Sequence, residues 1–133
     1  FTNGCFDIIH SGHVKYLSRA GQKGDVLVVA LNSDSSTRKI KGKSRPLIPQ
    51  YDRAEVVAGL ESVDYVTIFE ETTPLNLIKQ LKPDVLVKGG NWKRKEVVGK
   101  DFVESCGGRV IIAPLVKNRS TTAIIKDILK KGK

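Results

Sequence analysis

The chain contains no methionine in 133 residues, only two cysteines and one tryptophan. The missing start residue leads us to expect that Phe1 begins partway through a first strand and that a segment, even a whole domain, precedes it. No apolar run approaches the roughly 20 residues of a membrane span. No signal-peptide pattern opens the sequence either, so no membrane partner is expected. Cys5 and Cys106 lie far apart without metal-ligand spacing, which excludes a disulfide framework and points to reduced thiols in the cytoplasm. No G-x-x-x-x-G-K-[ST] occurs, which excludes a P-loop. Aromatics make up only 6% of the chain and basic residues are scattered among acidic ones, so no nucleic-acid partner is expected.

What is present is positive charge. Lys and Arg number 23 against 14 Asp and Glu, a formal charge of +9. A solvated, lysine-rich surface accounts for part of that excess. Recognition of phosphorylated small molecules accounts for another part.

Short β-branched runs alternate with amphipathic segments. Strands are expected at Phe1 to Asn3, Asp25 to Leu31, Tyr65 to Phe69, Val85 to Lys88 and Val110 to Ala113. Helices are expected from Ser11 to Ala20, with Val14 and Leu17 inward, and from Asp52 to Leu60, with Val56, Val57 and Leu60 inward. Further helices are expected from Pro74 to Leu81, capped by Thr73, from Lys95 to Cys106, and from Thr121 to Lys130. Strand followed by helix, five times over, predicts an α/β domain spanning 1–133. Its expected architecture is a Rossmann-like, doubly wound, parallel five-stranded sheet with helices on both faces. Ligands of such sheets sit beyond the carboxyl ends of the strands, where strand order reverses. The segment Arg38 to Pro49, basic and holding one glycine and two prolines, reads as a mobile loop.

The strongest chemical signal is TNGCFDIIHSGH at 2–13, which leaves the first strand and enters a helix. Gly4 would let a ligand approach the backbone. Ser11 is the expected N-cap, and free N–H groups of the first turn favour an anion there. His10 and His13 bracket the helix start, and two imidazoles beside a phosphate can donate to oxygens that gain charge. A shared metal is the rival chemistry, but no glutamate or third histidine stands nearby to complete a zinc set. Arg119, Ser120, Thr121 and Thr122 precede an apolar helical pattern, with Ser120 or Thr121 as cap and an anion site as the fuller reading. Lys88, Gly89 and Gly90 end an apolar strand without bulk that would block a ligand. Arg38, Lys39, Lys41, Lys43 and Arg45 form a solvated loop or a phosphate-closing lid. Asn32 and Asp34 follow the second strand, where they could meet a sugar or a metal or cap the next helix. Arg53 opens a helix on the same side, with a substrate role in view.

Four segments together carry a family resemblance: TNGCFDIIHSGHVKYL at 2–17, LNSDSSTRKIKGKSRPLIP at 31–49, PDVLVKGGNW at 83–92 and RSTTAII at 119–125. The chain resembles the cytidylyltransferase-like nucleotidyltransferases. Within them it is most similar to the D-glycero-β-D-manno-heptose 1-phosphate adenylyltransferases, which occur alone or joined to a sugar kinase. The resemblance implies transfer of AMP from ATP to the sugar phosphate, giving ADP-heptose and pyrophosphate for lipopolysaccharide precursor synthesis. It makes His10, His13 and Lys41 catalytic. Thr2, Asn3, Gly4, Cys5, Phe6, Lys88, Gly89, Gly90, Arg119, Ser120, Thr121 and Thr122 would bind the nucleotide. Asp7, Asn32, Asp34 and Arg53 are candidates for the acceptor. Relatives often carry Asp where this chain has Asn91. Mg²⁺ would ride on ATP, with no protein ligand assigned. A homo-oligomer and a fused or separate sugar kinase are the protein partners in view. Two other readings stand beside this one: a CTP-dependent enzyme acting on glycerol 3-phosphate or a similar alcohol phosphate, and a nucleotide-binding module without turnover.

Overall fold

In the second strand, alternate residues enter opposite cores, and this two-sided burial organises the molecule. The computed structural model describes residues 1–90, 96–117 and 119–132. Strands β1 (Thr2–Gly4), β2 (Val28–Asn32) and β3 (Tyr65–Phe69) form one parallel ladder, and β4 (Val85–Gly89) and β5 (Arg109–Ala113) form another. The ladders meet at Phe1, whose ammonium donates to Val85 O at 2.8 Å and whose carbonyl accepts from Val87 N at 2.8 Å. The strand order is therefore β3-β2-β1-β4-β5. The expected five parallel strands are present, divided into three and two.

Val29, Leu31, Val87 and Ala113 face one core, together with Leu17 and Ala20 of α1 (Ser11–Gly21) and Val57 of α3 (Gln50–Ala58). Ala30, Leu86 and Val110 face the other, together with Ile78 of α4 (Leu75–Leu81) and Val103 of α5 (Lys100–Ser105). Burial on both faces explains why these strands read as continuous apolar runs. Chain order reverses between β1 and β4, so their carboxyl ends open a crevice. Among the described residues no helix is long and apolar enough to cross a membrane.

Several local expectations change. Helix α2 (Asp34–Lys41) occupies the first part of the expected basic loop. Ser33 caps it by accepting from Ser36 N at 3.1 Å. Asp34 in its first turn and Arg38, Lys39 and Lys41 in its last turn complement the helix dipole. The loop proper begins at Gly42, whose φ of +103° suits glycine. Pro74, not Thr73, stands at the cap of α4, with no side-chain cap bond. The expected helix from Lys95 shortens to α5, and its first expected residue lies outside the described residues, as do Asn91 and Trp92. Val14 and Val56, expected inward, are exposed. The strand expected from Asp25 starts at Val28, because Leu27 N is taken by the Asp64 carboxylate at 2.8 Å. Helix α6 (Thr121–Lys131) buries no residue; Thr121 Oγ1 at its first turn donates to Ile8 O at 2.9 Å.

Arg53 is the largest fully buried side chain, at 1% exposure. Its guanidinium donates to Ile48 O at 2.8 Å, Cys5 O at 2.6 Å, Asn32 O at 2.9 Å and Asp34 Oδ1 at 2.8 Å. These four acceptors belong to the loop before α3, the turn after β1, the end of β2 and the start of α2. Arg53→Met would take a donor from the carbonyls of Cys5, Asn32 and Ile48 and leave Asp34 without its ion-pair partner. We expect it to lower the unfolding free energy by about 3–5 kcal/mol in urea melts. A loss under about 1 kcal/mol would show that the carbonyls find other partners.

Candidate active site

The turn from β1 into α1 uses a residue type rarely found at a helix cap. His10, not Ser11, is the N-cap of α1. Its Nδ1 accepts from Gly12 N at 3.1 Å, and His13 Nδ1 accepts from His10 N at 3.2 Å, a reciprocal capping box made of two imidazoles. An accepting nitrogen carries no proton, so each neutral ring holds its proton on Nε2. The rings lie 3.9 Å apart between centroids. Gly12 makes this possible, because a Cβ there would stand 2.8 Å from His10 Cε1 and 3.1 Å from Arg119 Cβ.

Burial first, and the neighbouring His10 second, push the His13 pKa down to about 4. His10 is lowered by burial and by Arg119. Both rings are therefore neutral donors at physiological pH. Phe6 packs on His13 with centroids 5.3 Å apart, and it adopts a left-handed φ of +49° to do so. Its ring fills the space above Gly4, where a Cβ would meet Phe6 Cε2 at 2.8 Å. That close packing leaves no room for a side chain at Gly4.

His10, His13, Lys41, Asn3, Gly4, Cys5, Phe6, Asp7, Lys88, Gly89, Arg119, Ser120, Thr121 and Thr122 all line one cavity of about 380 Å³. A second cavity of about 370 Å³ adjoins it, with Asn32, Ile40, Thr72 and Val97 in its wall. Asn3, Gly4, Cys5, Lys41 and Lys88 line both. Four expected contacts fall outside these linings. Thr2 is buried, its Oγ1 2.6 Å from Tyr16 Oη. Gly90 donates to Ala113 O. Asp34 and Arg53 are engaged with each other. Arg53, expected to meet substrate, is buried and donates to three backbone carbonyls and to Asp34. Asn32 Nδ2 donates to Ser36 Oγ at 3.0 Å, and the N-cap between them is Ser33. Of the basic cluster, Arg38, Lys39 and Lys43 are exposed and lie outside both linings.

Tyr16 escaped the sequence reading, and Arg45 entered it only as one of the basic cluster. Arg45 lines the first cavity and spans it, 3.8 Å from Asp7 Oδ2 and donating to Thr122 Oγ1 at 3.2 Å. Asp7 in turn accepts from Leu47 N and Ile48 N at 2.9 Å each, which ties the basic loop to the β1–α1 turn. Tyr16 lies one helical turn beyond His13, on the same face, a spacing that could have flagged it. It donates to Val87 O at 3.2 Å, and burial raises its pKa to about 12. Ser120 caps α6 by accepting from Ala123 N at 3.0 Å, so the last helix presents its amino end to the cavity.

Two helix starts, two neutral imidazoles and four cationic side chains, Lys41, Arg45, Lys88 and Arg119, line this cavity, an arrangement that suits an anion. The sequence profile of the cytidylyltransferase-like family matches residues 1–127. The chain belongs to that family. Its members with similar sequences include a bifunctional protein HldE of Syntrophotalea carbinolica, 58% identical over 131 residues. Another is that of Geobacter metallireducens, 59% identical over 130 residues. Each match covers 98% of this chain but only 27% and 26% of the relative, so the chain spans about a quarter of their length. Among solved structures, a lipopolysaccharide core biosynthesis protein from Thermoplasma volcanium superposes with a TM-score of 0.70 at 28% identity. That match covers 89% of this chain and 95% of the other. In this member of the cytidylyltransferase-like family the histidine pair sits where the first helix meets the cavity.

Asn keeps a capping acceptor but lacks the second ring nitrogen. His10→Asn should hold helix stability and reduce kcat about 100-fold, the usual loss for one preorganised donor. His10→Ala should lose both, with about 1 kcal/mol of stability gone. Equal kcat for His10→Asn and the parent would reduce the ring to a cap.

Protonation gives a second test. Below pH 6.5 the unfolded chain takes up a proton at His13 that the folded chain resists until about 4. This contribution to stability is complete above about 6.5 and is lost as pH falls toward 4. Tm of the ligand-free protein should drop across that window, and His13→Gln should flatten the drop. An unchanged slope would mean that His13 burial does not couple to folding.

Proposed function

We propose that this chain transfers AMP from ATP to D-glycero-β-D-manno-heptose 1-phosphate, releasing pyrophosphate and giving ADP-heptose for lipopolysaccharide core precursors. The observation that carries the reading is the pair of adjoining cavities. One is lined by His10, His13, Arg119 and the start of α6, and both are lined by Lys41 and Lys88. Two anionic substrates have to meet in this reaction, and the shared wall holds cations. The four-segment resemblance to heptose 1-phosphate adenylyltransferases supports the choice of sugar.

An oxygen of the sugar phosphate attacks the α-phosphorus of ATP, and the bond to the bridging oxygen of the β-phosphate breaks. Pyrophosphate leaves with the electron pair. The attacking phosphate is already an anion at neutral pH, so no general base is needed. The remaining tasks are alignment and charge neutralisation. The Nε2–H groups of His10 and His13 donate to phosphate oxygens that gain charge, without a proton leaving the rings. The amino end of α6, with Arg119, Ser120 and Thr122, holds the triphosphate. Lys41, at the exposed end of α2, moves between the two phosphates as they close.

Among the described residues no group of three or more His, Cys, Asp and Glu could hold a metal. Asp7, the carboxylate in the first cavity's described lining, already accepts from two backbone N–H groups. Mg²⁺ fits this site as an ion carried by the triphosphate and its own waters, where it neutralises phosphate charge. We place the reaction in the cytoplasm, with a sugar kinase, fused or separate, supplying the acceptor.

Mg²⁺-dependent pyrophosphate release is expected with ATP and heptose 1-phosphate, and much less with CTP. A panel of nucleotides against sugar and alcohol phosphates decides the matter. Equal or faster turnover of CTP with glycerol 3-phosphate would overturn the heptose assignment. Binding without any pyrophosphate release would make the chain a nucleotide-binding module.

A further inference from the structure

Of the five residues common to the two cavities, two carry positive charge, and they come from different parts of the fold. Lys41 ends α2 and is exposed. Lys88 sits at the carboxyl end of β4, half-buried, on a strand fixed to β5 through the Lys88↔Ile112 register. Gly89 follows it, and Tyr16 packs where a Gly89 Cβ would sit, 3.0 Å from Tyr16 Cε2. The strand end therefore cannot drift without displacing a ring that is itself tied to Thr2 and Val87. Lys88 is a cation on a fixed strand end, whereas Lys41 is a cation on a helix end followed by a glycine.

We propose that Lys88 is a second catalytic cation of the transfer. It contacts the acceptor phosphate from the strand side while Lys41 closes from the loop side. The proposal rests on the nucleotidyl-transfer reading given above. In the reaction an acceptor oxygen forms its bond to the α-phosphorus as the α–β bridging bond breaks. Negative charge is most crowded where the cavities join. A cation fixed there before the substrates arrive needs no reorganisation when charge develops.

Electrostatics in the empty cleft agree with this. Burial lowers the Lys88 pKa, Cys5 partly offsets that, and the charge of Lys41 lowers it again. Two ammonium groups that repel each other in the empty cleft are relieved when a phosphate enters between them. A loss of rate with the fold retained therefore separates a catalytic role from a structural one.

The test compares Lys88→Met, which keeps length without charge, with Lys88→Arg, which keeps charge. For Lys88→Met we expect kcat to fall about 100-fold, ATP affinity to stay within a few-fold, and the protein to remain folded by thermal melt. Lys88→Arg should recover at least about tenfold of the lost rate. A binding measurement reads the residue apart from turnover. Protein loaded with a non-cleavable ATP analogue is titrated with heptose 1-phosphate by calorimetry. The parent should bind the acceptor at least about tenfold more tightly than Lys88→Met. Parent-like kcat and acceptor affinity in Lys88→Met would overturn the proposal, and so would loss of ATP binding with kcat preserved at saturation. A fall in Tm accompanied by an equal loss of both affinities would make Lys88 structural, which also overturns it. A parent that turns over no substrate pair, yet shows the tenfold difference in acceptor binding, would sink the transfer reading and keep Lys88 as the acceptor-phosphate ligand.

Discussion

The geometry of the cleft depends on the buried guanidinium of Arg53. Three carbonyls and one carboxylate converge on it from four separate pieces of chain. Those pieces are the turn that carries the histidines, the end of β2, the start of α2 and the loop that carries Arg45. A hydrophobic side chain could fill the same volume but could not set the relative positions of four backbone segments. A planar, permanently charged fork with several fixed donors can. Asp7 completes the clamp from the other side by holding Leu47 and Ile48 through their N–H groups. The basic loop is thus fastened at its far end, while its near end joins α2 through Gly42.

The β1–α1 turn uses the same two side chains to cap a helix and to line the cleft. A serine or aspartate cap would satisfy the first N–H groups of α1 equally well. Histidine does so with one nitrogen and leaves the other for the cleft. The cost appears in the backbone and in the packing. Phe6 takes a left-handed conformation, and Gly4 and Gly12 must lack side chains so that rings can lie against them. These features crowd into one short stretch, as expected where a site over-determines its own geometry.

Much of this was legible in the sequence because burial on both faces of a parallel sheet writes itself as apolar runs. β2, β3, β4 and β5 fell within a few residues of their expected bounds for that reason. The histidine motif and the Ser-Thr-Thr helix start could be placed because each sits at a strand-to-helix junction. What the sequence hid depends on distant partners. Arg53 looks like any helix-opening arginine until Cys5, Asn32 and Ile48 are seen around it. Arg38 to Lys41 looked like loop because basic residues crowd there, although the same residues suit the last turn of a helix. Ser11 looked like the cap because serine caps are common, and nothing local says that a histidine ring will fold back over a glycine. Arg45 gained its position through Asp7 and through Thr122, which lies on the last helix.

The locked tautomers of His10 and His13 set a rule for what the cleft will accept. With each Nδ1 engaged by backbone, the two rings offer hydrogen and no lone pair. A competitor for this site must bring oxygens or other acceptors to them. An ammonium group placed there would set hydrogen against hydrogen, and the rings cannot turn over to accommodate it without uncapping the first helix. Inhibitor chemistry here therefore begins with oxyanions and their neutral, acceptor-rich mimics, and amine-bearing scaffolds start at a disadvantage whatever their shape.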